Sequence, residues 1–182
     1  MKSTIVALIL AISSIASAGE LKGVKMPDTI TVDGKELKLN GLGLRKKIVF
    51  NVYVGGLYLE TKSSDPAAIL AADTTRRVDM MVMRNLDKGT IVDAIKNGVE
   101  RNSPSALPAL KERLDNLAAV IPDLKDGQKL TIVYIPGKGT RVEGAGVKEF
   151  TAPGKDFADA IFQVWLGKTP VDEDLKNGML GK

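Results

Sequence analysis

The stretch LNGLGLRKKIVFNVYVGGLYLE, Leu39 to Glu60, places one arginine, Arg45, ahead of a long and largely apolar run. Arg45 is either an ordinary charge at a strand end or a cation aimed into a pocket that expects an anion. Two further polar groups, Asn51 and Tyr53, fall within the run itself. A polar side chain on a buried face needs a partner. Either Tyr53 bonds a backbone carbonyl, or the face that carries it lines a cavity. The composition narrows what other chemistry is open. The chain has no histidine and no cysteine, so the usual ligands of zinc, copper and haem are missing. Triads built on an imidazole or a thiolate are excluded with them. We expect no cofactor and no metal. IPGKGTRVEGAG lacks the spacing of a phosphate-binding loop and does not lead into a helix; it reads as a glycine-rich turn. Asp172, Glu173 and Asp174 read as charges favourable to the dipole of a closing helix rather than as an acid/base pair.

The elements that must position these groups follow from pattern. TITVDGKELKLN reads as two strands about Asp33-Gly34, a strong hairpin signal. The Leu39–Glu60 stretch reads as one central strand, with Ile48, Phe50, Val52 and Val54 on one face and Val49, Asn51, Tyr53, Gly55, Leu57 and Leu59 on the other. A short helix capped by Ser64 or Asp65 follows, then a strand over TRRVDMMVMRNL. Asp87 caps a helix in which Ile91, Ala94, Ile95 and Val99 recur at helical spacing, and Leu107, Leu110, Leu114 and Leu117 mark another. QKLTIVYIP and TRVEGAGVKEF form a strand pair; KDFADAIFQVWLG is a helix ending at Gly167, and a short helix closes the chain with Pro170 in its first turn. Strands joined by tight turns and interleaved with helices predict an α+β fold: a mainly antiparallel β-sheet with helices packed against it.

The first residues address location. Lys2, the apolar run Ile5–Ile12 and the small residues Ala16-Ser17-Ala18 have the layout of a secretory signal peptide cut after Ala18. The run is shorter than the roughly 20 residues that span a bilayer. Residues 1–18 are therefore expected to be a signal peptide and residues 19–182 a single domain, periplasmic or secreted, with no transmembrane segment after cleavage. A formal charge of +4 suggests nucleic acid, but the 26 basic residues are spread among 22 acidic ones and aromatic residues make up only 4%. No arginine-rich arm is present, and no nucleic-acid partner is expected.

Four blocks in order then resemble the chalcone isomerase-like family, in particular its bacterial exported branch: the Leu39–Glu60 stretch, DMMVMRNLDKGTIVDAIKNGVERN, IVYIPGKGTRV and FADAIFQVWLGKTPVDEDLKNGMLG. The resemblance implies an open-faced, mainly antiparallel β-sheet covered by a layer of α-helices, with a ligand cleft between sheet and helices. Against the chalcone-cyclising enzymes, Arg45 and Asn97 match, whereas Tyr53 stands at a threonine position, Thr90 at a tyrosine and Ala158 at a serine or threonine. The missing phenol and hydroxyls tilt the expectation away from catalysis. Non-catalytic relatives hold a fatty-acid carboxylate with an arginine and a tyrosine, which Arg45 and Tyr53 resemble, and Arg84 is a substitute cation.

The resemblance therefore implies an exported, non-enzymatic binder of a fatty acid or similar amphipathic carboxylate, with Arg45, Asn51, Tyr53, Arg84, Thr90 and Asn97 as ligand-binding candidates. A flavonoid-like ligand, with a chalcone isomerase-type intramolecular lyase activity, is one alternative. A structural or partner-binding protein without a ligand is the other. An unpaired guanidinium in an apolar cleft requires an anion, and each buried methylene of a tail adds about 0.8 kcal/mol. One geometric condition attaches. Eight residues of straight strand span ~26 Å, so Arg45 and Tyr53 meet one carboxylate only if the chain folds back between them.

Overall fold

The protein is described from a computed structural model covering residues 18–182; the expected signal peptide lies, up to residue 17, outside the described residues. The strands are β1 (Ala18–Leu21), β2 (Val24–Pro27), β3 (Thr29–Val32), β4 (Lys35–Lys47), β5 (Phe50–Leu59), β6 (Arg76–Val82), β7 (Lys129–Ile135), β8 (Gly139–Gly144) and β9 (Thr151–Ala152). The helices are α1 (Pro66–Ala71), α2 (Lys88–Asn102), α3 (Leu107–Val120), α4 (Lys155–Leu166) and α5 (Glu173–Met179). Strands β3 to β9 form one seven-stranded sheet in sequence order, and every pairing is antiparallel. The predicted α+β architecture is the observed one.

The hairpin read at Asp33-Gly34 forms there, with both residues at positive φ, 52° and 79°. Asp65 caps α1 and Asp87 caps α2, as their side-chain chemistry predicts. Helix α4 is apolar on nearly every side and burial follows: Phe157, Ile161, Phe162, Trp165 and Leu166 are all inside. Leu110, Leu114 and Leu117 seat α3, each contributing about 1.5–3 kcal/mol by leaving water. Helix α2 crosses α4 closely because Gly98 lies there; a Cβ at that position would come within 2.9 Å of Val164.

Three expectations are corrected. Leu39–Glu60 is not one strand but two, β4 and β5, folded back at Ile48-Val49. No glycine, asparagine or proline marks that turn, and Ile48 itself adopts φ 58°, a conformation rare for a β-branched residue. Ile48 and Phe50 therefore sit at an exposed tip instead of on a buried face. Second, α5 begins at Glu173, so Pro170 lies ahead of it and Asp172 is its N-cap, accepting from the Leu175 amide at 2.9 Å. Third, the sequence reading holds no strand before Thr29, yet β1 and β2 form a separate hairpin through Lys22-Gly23. That hairpin caps the sheet face opposite the helices, where Met26 packs with Leu39, Val54, Tyr58 and Val133.

Helices α2 and α3 are tied by Asp115, which accepts from Lys96 at 2.9 Å and from Lys111 at 2.6 Å. Hydrogen bonds to the two ammonium groups hold its carboxyl down at about 2, below the ordinary 3.8. A depressed folded pKa means stability that is present above the unfolded value and lost as pH falls through the folded one. Thermal midpoints are therefore expected to fall between pH 4 and pH 2, and Asp115→Asn to flatten that part of the profile. A pH-midpoint curve unchanged by the substitution would remove Asp115 from the account.

Candidate functional site

A cavity of about 310 Å³ opens between the β4–β5 hairpin, β6 and the α2 and α4 helices. Its buried lining is apolar and aromatic (Met80, Ile91, Ile95, Val164, Trp165), and its exposed members, Lys47, Thr90 and Asp93, make the mouth. Arg45 and Tyr53 are also in the lining. The condition set by strand geometry is met: the fold-back pairs Arg45 directly opposite Tyr53, so the two side chains leave the sheet as cross-strand neighbours.

A bulge refines this. Lys46 pairs with Asn51 and Arg45 with Tyr53, leaving Val52 as the extra residue of β5. A bulged residue escapes strict alternation. Val52 consequently lines the cavity together with Tyr53, although period-two counting placed it with Val54 on the other face.

Hydrogen bonding leaves both Arg45 and Tyr53 with unused donors. Tyr53 is 6% exposed, and Trp165 Nε1 donates to its hydroxyl at 3.0 Å. Indole nitrogen can only donate, so the phenol oxygen is the acceptor and its own hydrogen remains available. Burial pushes the phenol above its ordinary range, with the Trp165 bond and Arg45 opposing. Tyr53 is thus a neutral O–H donor at physiological pH, not a phenolate base. Arg45 uses Nη1 for the Lys46 carbonyl and for Asp172 Oδ2, the latter at 3.0 Å. Its Nε and Nη2 donors have no acceptor among the described residues. Two residues with spare donors, one of them cationic, therefore lie side by side on an apolar cavity.

Asp172 is the partner that sequence reading missed. It appeared only as a charge for the helix dipole, and nothing in the linear order connects it to Arg45. The segment carrying it is held in place by Asn102, which bonds the Thr169 amide and carbonyl at 2.9 and 2.8 Å, and by the Val171 amide on the Val164 carbonyl. Trp165, Lys47 and Asp93 were missed as well. A lone tryptophan on a helix of apolar residues reads as core, and only the cavity separates it from the rest.

Thr90 is in the lining, but its amide and hydroxyl both bond Asp87, at 2.8 and 2.7 Å, in the cap of α2. Asn97 lies one turn beyond Asp93 on α2, exposed and outside the lining. Asn51, opposite Lys46, is half-buried and outside it too. Arg84 is exposed, its guanidinium carbon 4.7 Å above the Phe50 ring. Ala158 is buried in the core of α4 and supplies no hydroxyl.

A family model described as chalcone isomerase-like matches residues 18–181. No curated protein matches the sequence. Among solved structures, a fatty-acid binding protein of Arabidopsis thaliana superposes with a TM-score of 0.69 at 15% identity, over 90% of this chain and 96% of that one. At that identity the likeness concerns the fold.

Proposed function

The chain belongs to the chalcone isomerase-like family, and from that premise we propose that it is a non-enzymatic binder of a fatty acid or similar amphipathic carboxylate. The observation that carries the reading is the pairing of Arg45 with Tyr53 on one cavity, each with an unused donor. The carboxylate accepts from Arg45 Nε or Nη2 and from the Tyr53 hydroxyl, while Asp172 keeps Nη1. The acyl chain lies along Met80, Ile91, Ile95 and Val164. The fatty-acid binding relative of the same fold makes such a ligand chemically consistent. A cavity near the lower end of the roughly 300–1,000 Å³ range of ligand sites favours a medium-length chain. The catalytic alternative has less support, because the Thr90 hydroxyl is spent on Asp87 and Ala158 has none. We further propose that residues 1–18 are a cleaved signal peptide, that residues 19–182 are the mature domain and that the protein belongs to the family's bacterial exported branch. An intact mass beginning at Gly19, in a periplasmic or secreted fraction, tests that.

The ligand reading has its own measurement. Trp165, the sole tryptophan, lines the cavity and reports occupancy by fluorescence. Octanoate, decanoate and palmitate are expected to shift its emission, with affinity rising with chain length until the cavity is filled. Arg45→Ala should weaken decanoate binding at least tenfold, as expected for the loss of one charge-assisted bond worth about 1.5–3 kcal/mol. Asp172→Asn keeps a capping side chain but removes the competing charge, and should strengthen binding several-fold. Equal affinity in wild type and Arg45→Ala, or no binding in either, would sink the reading.

A further inference from the structure

We propose that the tip of the β4–β5 hairpin is a membrane-docking finger. Ile48, Val49 and Phe50 enter the interface of an anionic bilayer while Lys46, Lys47 and Arg84 rest on its headgroups. This stands on the tip alone and not on the cavity's ligand.

Ile48, Val49 and Phe50 are 88%, 79% and 55% exposed, and they are the large hydrophobic side chains left in solvent among the described residues. Three such residues in succession at a projecting turn form a patch, unlike a scattered surface leucine. The turn is also built against local preference. Ile48 holds φ 58° where glycine or asparagine would be unstrained, so an apolar residue occupies a position that favours small or polar ones. A strained position of this kind directs attention to function.

The surrounding charge identifies the partner. Lys46 and Lys47 precede the apolar residues in the chain, and Arg84 stacks on the Phe50 ring. None of the three has an ion-pair partner among the described residues, and all three flank the same apolar tip. An apolar point inside an unneutralised basic collar is the pattern of interfacial binding to anionic lipid, where greasy contact and headgroup attraction act together. A protein partner fits less well. A specific interface buries at least about 1,000 Å² of complementary surface, and a convex tip of three side chains cannot offer its share, whereas a fluid bilayer needs no matching hollow. No helix among the described residues is long and apolar enough to cross a membrane. Because Lys47 and Val52 border both tip and cavity, a docked finger turns the cavity mouth toward the bilayer.

Protein purified from cells expressing the full chain is mixed with vesicles of phosphatidylcholine alone or with 30% phosphatidylglycerol, and the bound fraction is measured by sedimentation. Binding to the anionic vesicles is expected to exceed that to neutral ones at least tenfold and to weaken with salt. Ile48→Ser/Val49→Ser/Phe50→Ser should cost tenfold or more. Lys46→Ser/Lys47→Ser should lower binding by about tenfold or more, at roughly fivefold per basic residue near an anionic surface. Thermal midpoints of both variants verify folding. In Phe50→Trp, the emission in excess of wild type should shift to the blue with anionic vesicles only. Binding contributed by residues ahead of Gly19 would survive the triple substitution. Such survival, or the absence of wild-type binding to either vesicle, overturns the proposal.

Discussion

Gly43→Ala is expected to lower the free energy of unfolding by about 3 kcal/mol, the upper part of the range for overpacking. A Cβ at Gly43 would collide with the backbone carbonyl of Leu175, and one at Gly41 with that of Gly178. Both obstacles are main chain, which cannot swing aside as a flexible side chain can. Helix α5 therefore lies backbone to backbone on β4, over a stripe of glycine. Gly55 in the facing strand meets a softer obstacle: its Cβ would approach two flexible side chains, Leu175 Cδ1 at 3.0 Å and Met179 Sδ at 3.3 Å. Urea unfolding measures the stability loss. A Gly43→Ala protein as stable as wild type would mean that α5 does not rest on β4 in this way.

Removal of Asp159 is expected to have a comparable effect through a different cause. Arg76 is fully buried in the sheet, with its guanidinium 5.1 Å from the Tyr134 ring centroid and 4.8 Å from that of Phe162. Its Nη1 donates to the carbonyls at the end of α1, Ile69 at 3.1 Å among them. Its Nη2 donates to Asp159, the carboxylate that compensates the charge. Asp159→Ala leaves a buried cation without its anion, a change that costs roughly 3–5 kcal/mol. Lys155 also bonds Asp159, at 2.7 Å, but it reaches solvent and can rehydrate. The discriminating variant is Arg76→Met with Asp159→Leu. If the penalty is the orphaned charge, the double substitution should recover most of the stability lost in Asp159→Ala. If it fares worse than the single variant, the pair stabilises the fold in its own right.

Much of the architecture was legible because the signals are local. Asp33-Gly34, Asp87 and the leucine spacing of α3 each specify a turn, a cap or a face within a few residues. The hairpin at Ile48-Val49 was not legible. Its turn uses residues that favour strands, so alternation ran straight through it. The bulge at Val52 escaped for a related reason: one inserted residue shifts the facing of a strand without altering its composition.

The sequence by itself determined the fold class, the caps and the exclusion of imidazole and thiolate chemistry, all of which depend on residue type and near-neighbour spacing. It also singled out Arg45 and Tyr53. Only the tertiary structure decided that these two face one cavity and that Asp172 shares the arginine. It alone showed that Trp165 leaves the tyrosine a hydrogen to donate and that three apolar side chains stand in water. Those facts rest on contacts between Arg45 and residue 172, and between Tyr53 and residue 165. Such contacts are set by packing of a whole helix layer on a sheet, and no local pattern in the chain encodes them.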